Sequence, residues 1–210
     1  SPHLDKNRAF IHEARDQLGM LTAVSKAAFR VTSAETAMET VRHAIRLALS
    51  APSGPVSVEI PIDIQKARIS ADDPECPPVD VPLPDEAALD ALAEKLLTAR
   101  RPLLWLGGGA RHAGEAVRRL IDLGFGVVTS TQGRGIVPED DPATLGAFNA
   151  VPTSEEFYKT CDAMVVVGSR LRGNETLGYR LVLPQPLFQI DADPESDGRC
   201  YGSDLFIHGD

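Results

Sequence analysis

The stretch LLWLGGGARHAG, residues 103–114, runs four apolar residues directly into three glycines and then towards a helix. A strand that ends in glycines and leads into a helix can present backbone N–H groups and a helix N-terminus to an anion. The same arrangement can also serve only to turn the chain sharply. Which of these two roles the loop has is the first question that the sequence raises.

The loop does not match the common nucleotide-binding fingerprints. Counted from Gly107, the third glycine of G-x-G-x-x-G is replaced by His112. The next strand ends in VTST, residues 128–131, where a dinucleotide site would have an acid. The P-loop pattern GxxxxGK[ST] does not occur either. The pattern argues against a nicotinamide cofactor, and it leaves both another nucleotide and a purely structural turn open.

Strands and helices alternate from Asp85, a candidate helix cap, to the end of the chain. Apolar periodicity predicts helices at 85–97, 115–123 and 153–160, the second closed by Gly124 and the third opened by a capping box, Thr153 to Glu156. Short apolar runs predict strands at 103–106, 126–129, 163–167, 187–190 and 205–207. Continuous apolar strands with helices between them are typical of a parallel sheet covered on both faces. The predicted fold class is α/β.

Residues 1–71 contain one clear helix and one clear strand. Thr32 and Glu35 predict a capping box, the apolar residues behind it predict a helix at 33–50, and 56–60 reads as a strand stopped by Pro61. A lone strand leaves both of its edges unpaired, so we expect this partial α/β segment to belong to a larger domain. Residues 72–84 contain five prolines and predict a semi-rigid linker and a domain boundary.

Composition limits the expected partners. The formal net charge is −9, and residues 79–210 carry 20 acidic against 12 basic side chains, so we expect no nucleic acid and no membrane partner. No apolar run approaches the roughly 20 residues that span a bilayer, and no signal-peptide pattern opens the chain. Cys76, Cys161 and Cys200 lie far apart without metal-ligand spacing, which indicates reduced thiols and a cytoplasmic protein.

The loops that follow the predicted strands should line one crevice, because the carboxyl ends of parallel strands lie along one edge of a sheet. Arg170 offers a planar fork of donors that suits a phosphate, although a surface ion pair would account for it equally well. Asp191 and Asp193 likewise fit either a ligand site or a simple turn before Pro194. Their joint placement at strand ends favours a site more than any one of them does.

Taken in order, these loops resemble the central domain of thiamine-diphosphate enzymes of the acetolactate synthase and benzoylformate decarboxylase type. The family motifs GGGA, TxxG[KR]GxxPEDxP, GSR, IDxDP and GD correspond here to residues 107–110, 131–142, 168–170, 190–194 and 209–210. Residues 54–64, GPVSVEIPIDI, resemble the end of the family's pyrimidine-binding domain. The resemblance implies the C-terminal part of that domain in residues 1–71. It implies a parallel six-stranded, Rossmann-like (DHS-like NAD/FAD-binding), three-layer central domain in 85–210.

The resemblance further implies an intact enzyme that uses thiamine diphosphate and Mg²⁺ and forms a homodimer or homotetramer, with the remaining domains of the same enzyme as partners. The family's cofactor-activating glutamate and its G-D-G metal motif belong to parts that this chain does not contain. We therefore expect no catalytic residue and no metal-binding residue in this chain, and no activity from it alone.

Central domains of this family bind FAD in some members, ADP in others and nothing in many. By resemblance, the cofactor-binding positions would be Gly107, Gly108, Gly109, Ser130, Thr131, Gly168, Arg170, Asp191 and Asp210. Members that hold FAD usually continue G-x-R-F-D-D-R, whereas residues 168–174 read GSRLRGN. This departure makes FAD a less expected ligand than ADP, and weak binding or none is expected for ADP.

The resemblance predicts part of a 2-keto-acid synthase or decarboxylase, acetolactate synthase-like, and so a carbon–carbon transferase or lyase. A benzoylformate or oxalyl-CoA decarboxylase-like enzyme is one alternative. An alternative from another class is a stand-alone adenine-nucleotide-binding regulatory domain, similar to NAD-dependent deacylases. Residues 9–13, AFIHE, stand where acetolactate synthases often have A-F-Q-E, and His12 receives no role.

Overall fold

The computed structural model describes residues 14–70 and 78–210, and the chain divides into two compact units between Asp80 and Val81. Residues 9–13, with His12, and the first part of the predicted linker, with Cys76, lie outside the described residues. The division falls within the proline-rich stretch 72–84.

The first unit contains a two-stranded parallel sheet. Its elements are α1 (Gln17–Val24), β1 (Ala27–Arg30), α2 (Ala37–Leu49), β2 (Val56–Glu59) and α3 (Ile62–Gln65). The strands pair in register, with Arg30 opposite Glu59 at their carboxyl ends. Arg30 Nε lies 2.6 Å from Glu59 Oε2, and the Glu59 side chain is almost fully buried. This ion pair joins the two strands where the backbone pairing ends.

Two predictions for this unit were wrong. A single strand was expected, but β1 pairs with β2; its four residues, AAFR, carry no alternation, and pairing with β2 sets their conformation. The capping box at Thr32 does not form, because α2 begins at Ala37 with Thr36 as its N-cap. Instead, the Thr36 N–H donates to Ser33 Oγ at 3.4 Å, and a hydrogen bond with Ser33 lowers the pKa of the Glu35 carboxyl.

The second unit is a five-stranded parallel sheet with helices. Its elements are α4 (Glu86–Leu96), β3 (Pro102–Leu106), α5 (Gly114–Asp122), β4 (Gly126–Thr129), α6 (Pro152–Tyr158), β5 (Ala163–Val167), β6 (Leu187–Asp191) and β7 (Leu205–His208). The strand order is β4-β3-β5-β6-β7. Successive residues of β3 alternate between two apolar clusters: Leu104 packs with Leu92 of α4 and Val117 of α5, and Trp105 packs with Tyr158 of α6. The α/β, three-layer prediction is confirmed.

The number of strands differs from the predicted six. In the part of this unit that the structure describes, the sixth position is held by residues 143–146, which make a single parallel bridge from Thr144 to Val127 of β4. The Asp141 carboxylate accepts the Ala143 N–H at 2.9 Å on one side, and Gly146 has a φ of 59° on the other. These two turns leave too few extended residues for a longer strand.

The helix ends test three further predictions. The Asp85 carboxylate accepts the Ala87 N–H at 3.2 Å, which confirms it as the cap of α4. Gly124 ends α5 with a φ of 99°, a conformation that glycine adopts without strain. The capping box at Thr153 was wrong, because α6 begins at Pro152, whose fixed φ and missing N–H suit the first helical position.

Candidate functional site

The strand order predicts a ligand crevice at the glycine loop. From β3 the chain passes to β4 on one side and later to β5 on the other, so the order reverses between β3 and β5. Ligands of open parallel sheets bind at such a point, outside the carboxyl ends of the strands. The loops after β3, β4, β5 and β6, which hold most of the predicted site residues, all start from this edge.

The glycine loop packs directly against the loop after β5. The Gly107 N–H donates to the Val167 carbonyl at 2.8 Å, and the Gly109 N–H donates to the Gly168 carbonyl at 3.1 Å. A Cβ on Gly107 would lie 2.0 Å from the Gly168 oxygen, and one on Gly109 would lie 2.8 Å from the Gly168 Cα. These glycines are therefore required by backbone-to-backbone packing within the protein.

The loop after β4 packs on the glycine loop through its backbone and small side chains. The Ser130 N–H donates to the Leu106 carbonyl at 2.9 Å, and Ser130 Oγ accepts the Gly133 N–H at 3.2 Å. A Cβ on Gly133 would lie 2.2 Å from the Leu106 oxygen, and one on Gly108 would lie 3.1 Å from the Gln132 Cβ. We call the three packed loops, residues 107–109, 130–133 and 168–169, the loop block.

A carboxylate that the sequence did not single out binds the backbone of Thr131. The Thr131 N–H donates to Glu175 Oε1 at 3.2 Å. The Glu175 carbonyl in turn accepts Asn149 Nδ2 at 2.6 Å, and the Tyr158 hydroxyl donates to the Asn149 carbonyl at 2.7 Å. Glu175 stands one residue beyond the stretch 168–174 that corresponds to the FAD-holding motif, so the motif gives no signal for it.

Arg170 is paired with an acid of the next loop. Its Nη2 lies 2.9 Å from Asp193 Oδ2, with 39% of the Arg170 side chain and 9% of the Asp193 side chain exposed. The other oxygen of Asp193 accepts the Glu195 N–H at 3.1 Å, and the Asp193 N–H donates to Asp191 Oδ1 at 2.9 Å. The ion-pair interpretation of Arg170 and the turn interpretation of the two aspartates therefore both match the geometry.

The β6 end of the crevice is negatively charged. Burial raises the pKa of the Asp191 carboxyl, the nearby charges of Asp193 and Asp210 raise it further, and Arg170 opposes them. The Gly209 N–H donates to the Asp191 carbonyl at 3.1 Å, which brings the end of the chain to this position. An added anion would meet these carboxylates as well as Arg170.

Ser169 lies beneath the crevice and was not predicted. Its hydroxyl accepts two buried donors, Trp105 Nε1 at 3.2 Å and the Leu171 N–H at 3.3 Å. Its carbonyl accepts Gln189 Nε2 at 3.2 Å. Ser169 thus connects β3, β6 and the start of the loop that carries Glu175. A serine between a glycine and an arginine gives no signal of this role in the sequence.

Several donors of the predicted nucleotide site already have acceptors within the protein, which disfavours a diphosphate at the glycine loop. A diphosphate needs free donors, whereas the amides of Gly107, Gly109 and Thr131 and the Nη2 of Arg170 already have protein acceptors. The nucleotide-binding role of the predicted residues remains a prediction.

The described residues contain neither a clustered set of metal ligands nor a membrane-spanning helix. In residues 14–70 and 78–210, no group of three or more His, Cys, Asp or Glu side chains is placed to hold a metal ion. Over the same ranges, no helix combines the length and apolar character needed to cross a bilayer.

Comparison with known proteins identifies the family. The family model for the thiamine pyrophosphate enzyme central domain matches residues 89–210. A probable 2-ketoarginine decarboxylase of Pseudomonas aeruginosa is 32% identical over 100% of this chain and 38% of its own length. A probable acetolactate synthase large subunit of Methanocaldococcus jannaschii is 29% identical over 93% of this chain and 35% of its own.

A solved structure agrees with these relatives. An enzyme of Mycobacterium smegmatis, described as thiamin diphosphate-dependent, superimposes with a TM-score of 0.69 at 26% identity, over 89% of this chain and 37% of its own. The chain spans less than two fifths of the length of these relatives. The chain belongs to the thiamine pyrophosphate enzyme family, and residues 89–210 match its central domain.

Proposed function

We propose that the chain is part of a thiamine-diphosphate-dependent enzyme that acts on a 2-keto acid, as a synthase or a decarboxylase. The observation that carries the proposal is the alignment of a 2-ketoarginine decarboxylase over 100% of the chain, through both units. An acetolactate synthase and a pyruvate oxidase align over 93% and 85% of it. The substrates in two of these names, 2-ketoarginine and pyruvate, are 2-keto acids.

We assign the second unit a structural role in that enzyme. When bound, thiamine diphosphate supplies the electron sink for cleavage next to a carbonyl. In residues 14–70 and 78–210, no group of three or more His, Cys, Asp or Glu side chains is placed to hold a metal ion. The loop block instead joins the carboxyl ends of β3, β4 and β5 through backbone contacts. Such a rigid edge suits a domain that holds neighbouring domains in place.

Within this function, a member of the family without FAD is favoured over one that holds FAD. Arg170 is bound to Asp193 and the Thr131 amide is bound to Glu175, so two donors expected to face a nucleotide have internal acceptors. The proposal includes the domain bounds 1–71, 72–84 and 85–210, an oligomeric enzyme and a cytoplasmic location. A stand-alone nucleotide-binding regulator is disfavoured, because the relatives align through the first unit as well.

The test measures CO₂ release from a panel of 2-keto acids, including pyruvate, benzoylformate and 2-ketoarginine, with thiamine diphosphate and Mg²⁺. Two samples are compared: the 210-residue chain and the complete product of the reading frame that contains it. We expect cofactor-dependent release from at least one substrate with the complete product and none with the 210-residue chain.

Two controls accompany this assay. Omission of thiamine diphosphate should abolish the release, and oxalyl-CoA tests the alternative decarboxylase class. Turnover by the 210-residue chain would refute the structural role of its second unit. A complete product that decarboxylates oxalyl-CoA and no 2-keto acid would refute the proposed substrate class.

A further inference from the structure

We propose that Glu175 and Asp193 act as built-in anions of the crevice, binding the Thr131 amide and the Arg170 guanidinium in place of a nucleotide's phosphates. In this interpretation the central domain keeps the loop order of a nucleotide site but is closed to FAD and ADP by its own carboxylates. The inference rests on the assignment to the central domain and goes beyond the proposed function, because it concerns what this unit binds.

The first built-in anion is fixed in place by its own loop. Glu175 directly precedes the fully buried Thr176, whose hydroxyl donates to the Arg172 carbonyl at 3.0 Å. The Asn149 side chain holds the Glu175 carbonyl, so the backbone on both sides of the carboxylate is bonded. A carboxylate on an ordered loop can hold the Thr131 amide without the entropy cost of ordering a free ligand.

The second built-in anion belongs to the loop after β6. Asp193 places one oxygen on Arg170 and the other on the Glu195 N–H, so both oxygens of its carboxylate are used. A hydrogen bond between charged groups is stronger than one between neutral groups. A phosphate could take the place of Asp193 on Arg170 Nη2 only by displacing this largely buried carboxylate, which would then lose its partner.

The remaining surroundings also disfavour an external anion. The Gly107 and Gly109 amides donate to the carbonyls of Val167 and Gly168. Asp193 and Asp210 both lie close enough to Asp191 to interact with it electrostatically. A phosphate in this crevice would therefore meet repulsion from carboxylates and few free donors.

The test titrates the 210-residue chain with FAD, ADP and pyrophosphate by calorimetry, and measures the melting temperature with each ligand. We expect neither heat of binding nor a change in Tm for the unaltered chain. The double variant Glu175→Ala/Asp193→Ala should melt at a lower temperature and gain binding of pyrophosphate. At a hundredfold excess over Kd, bound pyrophosphate should raise its Tm by about 5–10 °C.

The matched control is Glu195→Gln, which removes one negative charge from the same turn without freeing Arg170. It should bind pyrophosphate no better than the unaltered chain, whereas the single variant Asp193→Asn, which loses the same one charge, should bind it better because Arg170 is freed. If the double variant does not fold, Asp193→Asn carries the same test, because it weakens the hold on Arg170 at almost unchanged size.

Two results would overturn the inference. One is micromolar binding of FAD or ADP by the unaltered chain. The other is a folded double variant, or a folded Asp193→Asn variant, that shows no response to pyrophosphate. Neither result depends on turnover of a 2-keto acid, so the inference and the proposed function can fail separately.

Discussion

Replacing Ser169 with alanine tests the buried connection beneath the crevice. The change removes the acceptor of two donors, the Trp105 indole N–H and the Leu171 amide, and both residues are at most 1% exposed. A buried donor left without an acceptor costs about 1–3 kcal/mol. The bonds are 3.2 and 3.3 Å long, at the weak end of the usual range. We therefore expect a loss of about 2–4 kcal/mol.

The assay is unfolding followed by fluorescence of Trp105, the only tryptophan of the chain. For a protein of this size the predicted loss corresponds to a Tm about 5–10 °C lower. Ser203→Ala is the matched control, since the Ser203 hydroxyl donates to Asp197 at 3.1 Å in an exposed setting. The control should stay within about 0.5 kcal/mol of the unaltered chain.

A double-mutant cycle identifies the partner of the hydroxyl. Trp105→Phe removes the indole donor, so Ser169→Ala should cost less in that background than in the unaltered chain. Unfolding is then followed by circular dichroism, because the fluorescent residue is gone. If Ser169→Ala costs no more than Ser203→Ala, or if the cycle shows no coupling, the argument from unsatisfied buried donors is refuted.

Two further predictions concern the loop block and the acidic end of the crevice. Gly107→Ala should lower the free energy of unfolding by about 3 kcal/mol or more, because its Cβ would lie 2.0 Å from the Gly168 carbonyl oxygen. Gly202→Ala is the control: its Cβ would meet nothing within 4 Å, so the change should be nearly neutral in the same urea titration. Burial raises the pKa of Asp191, so its contribution to stability is present below the ordinary aspartate pKa and is lost as the pH rises through the raised value. Asp191→Asn should therefore raise the Tm at pH 7, with the difference closing as the pH falls towards 4; a difference independent of pH would contradict this.

Features governed by local chemistry could be predicted from the sequence. Asp85 caps α4 and Gly124 ends α5 as expected, because the side chain or the free φ of one residue decides each end. The strands of the second unit were located within a residue or two at each end, since continuous apolar runs mark buried parallel strands. The α/β class and the thiamine pyrophosphate family followed from the order of these elements and motifs.

Features governed by distant partners could not be predicted. β1 forms because β2 lies beside it, and nothing in AAFR alone indicates a strand. The role of Gly107 depends on Gly168, which stands far along the chain and is brought next to it only by the β3–β5 pairing. Whether Arg170 faces a ligand or Asp193 is likewise decided by the position of the next loop.

The loop block has an evolutionary consequence. Gly107 and Gly109 both lie against the backbone of Gly168, so a larger residue at any of the three cannot be compensated by a smaller side chain at another. A second substitution that shortens a neighbouring side chain therefore cannot restore stability at these positions. Relatives that gain or lose a ligand at this edge are therefore expected to diverge in residues 171–180 and 193–196, while the three glycines stay the same in all of them.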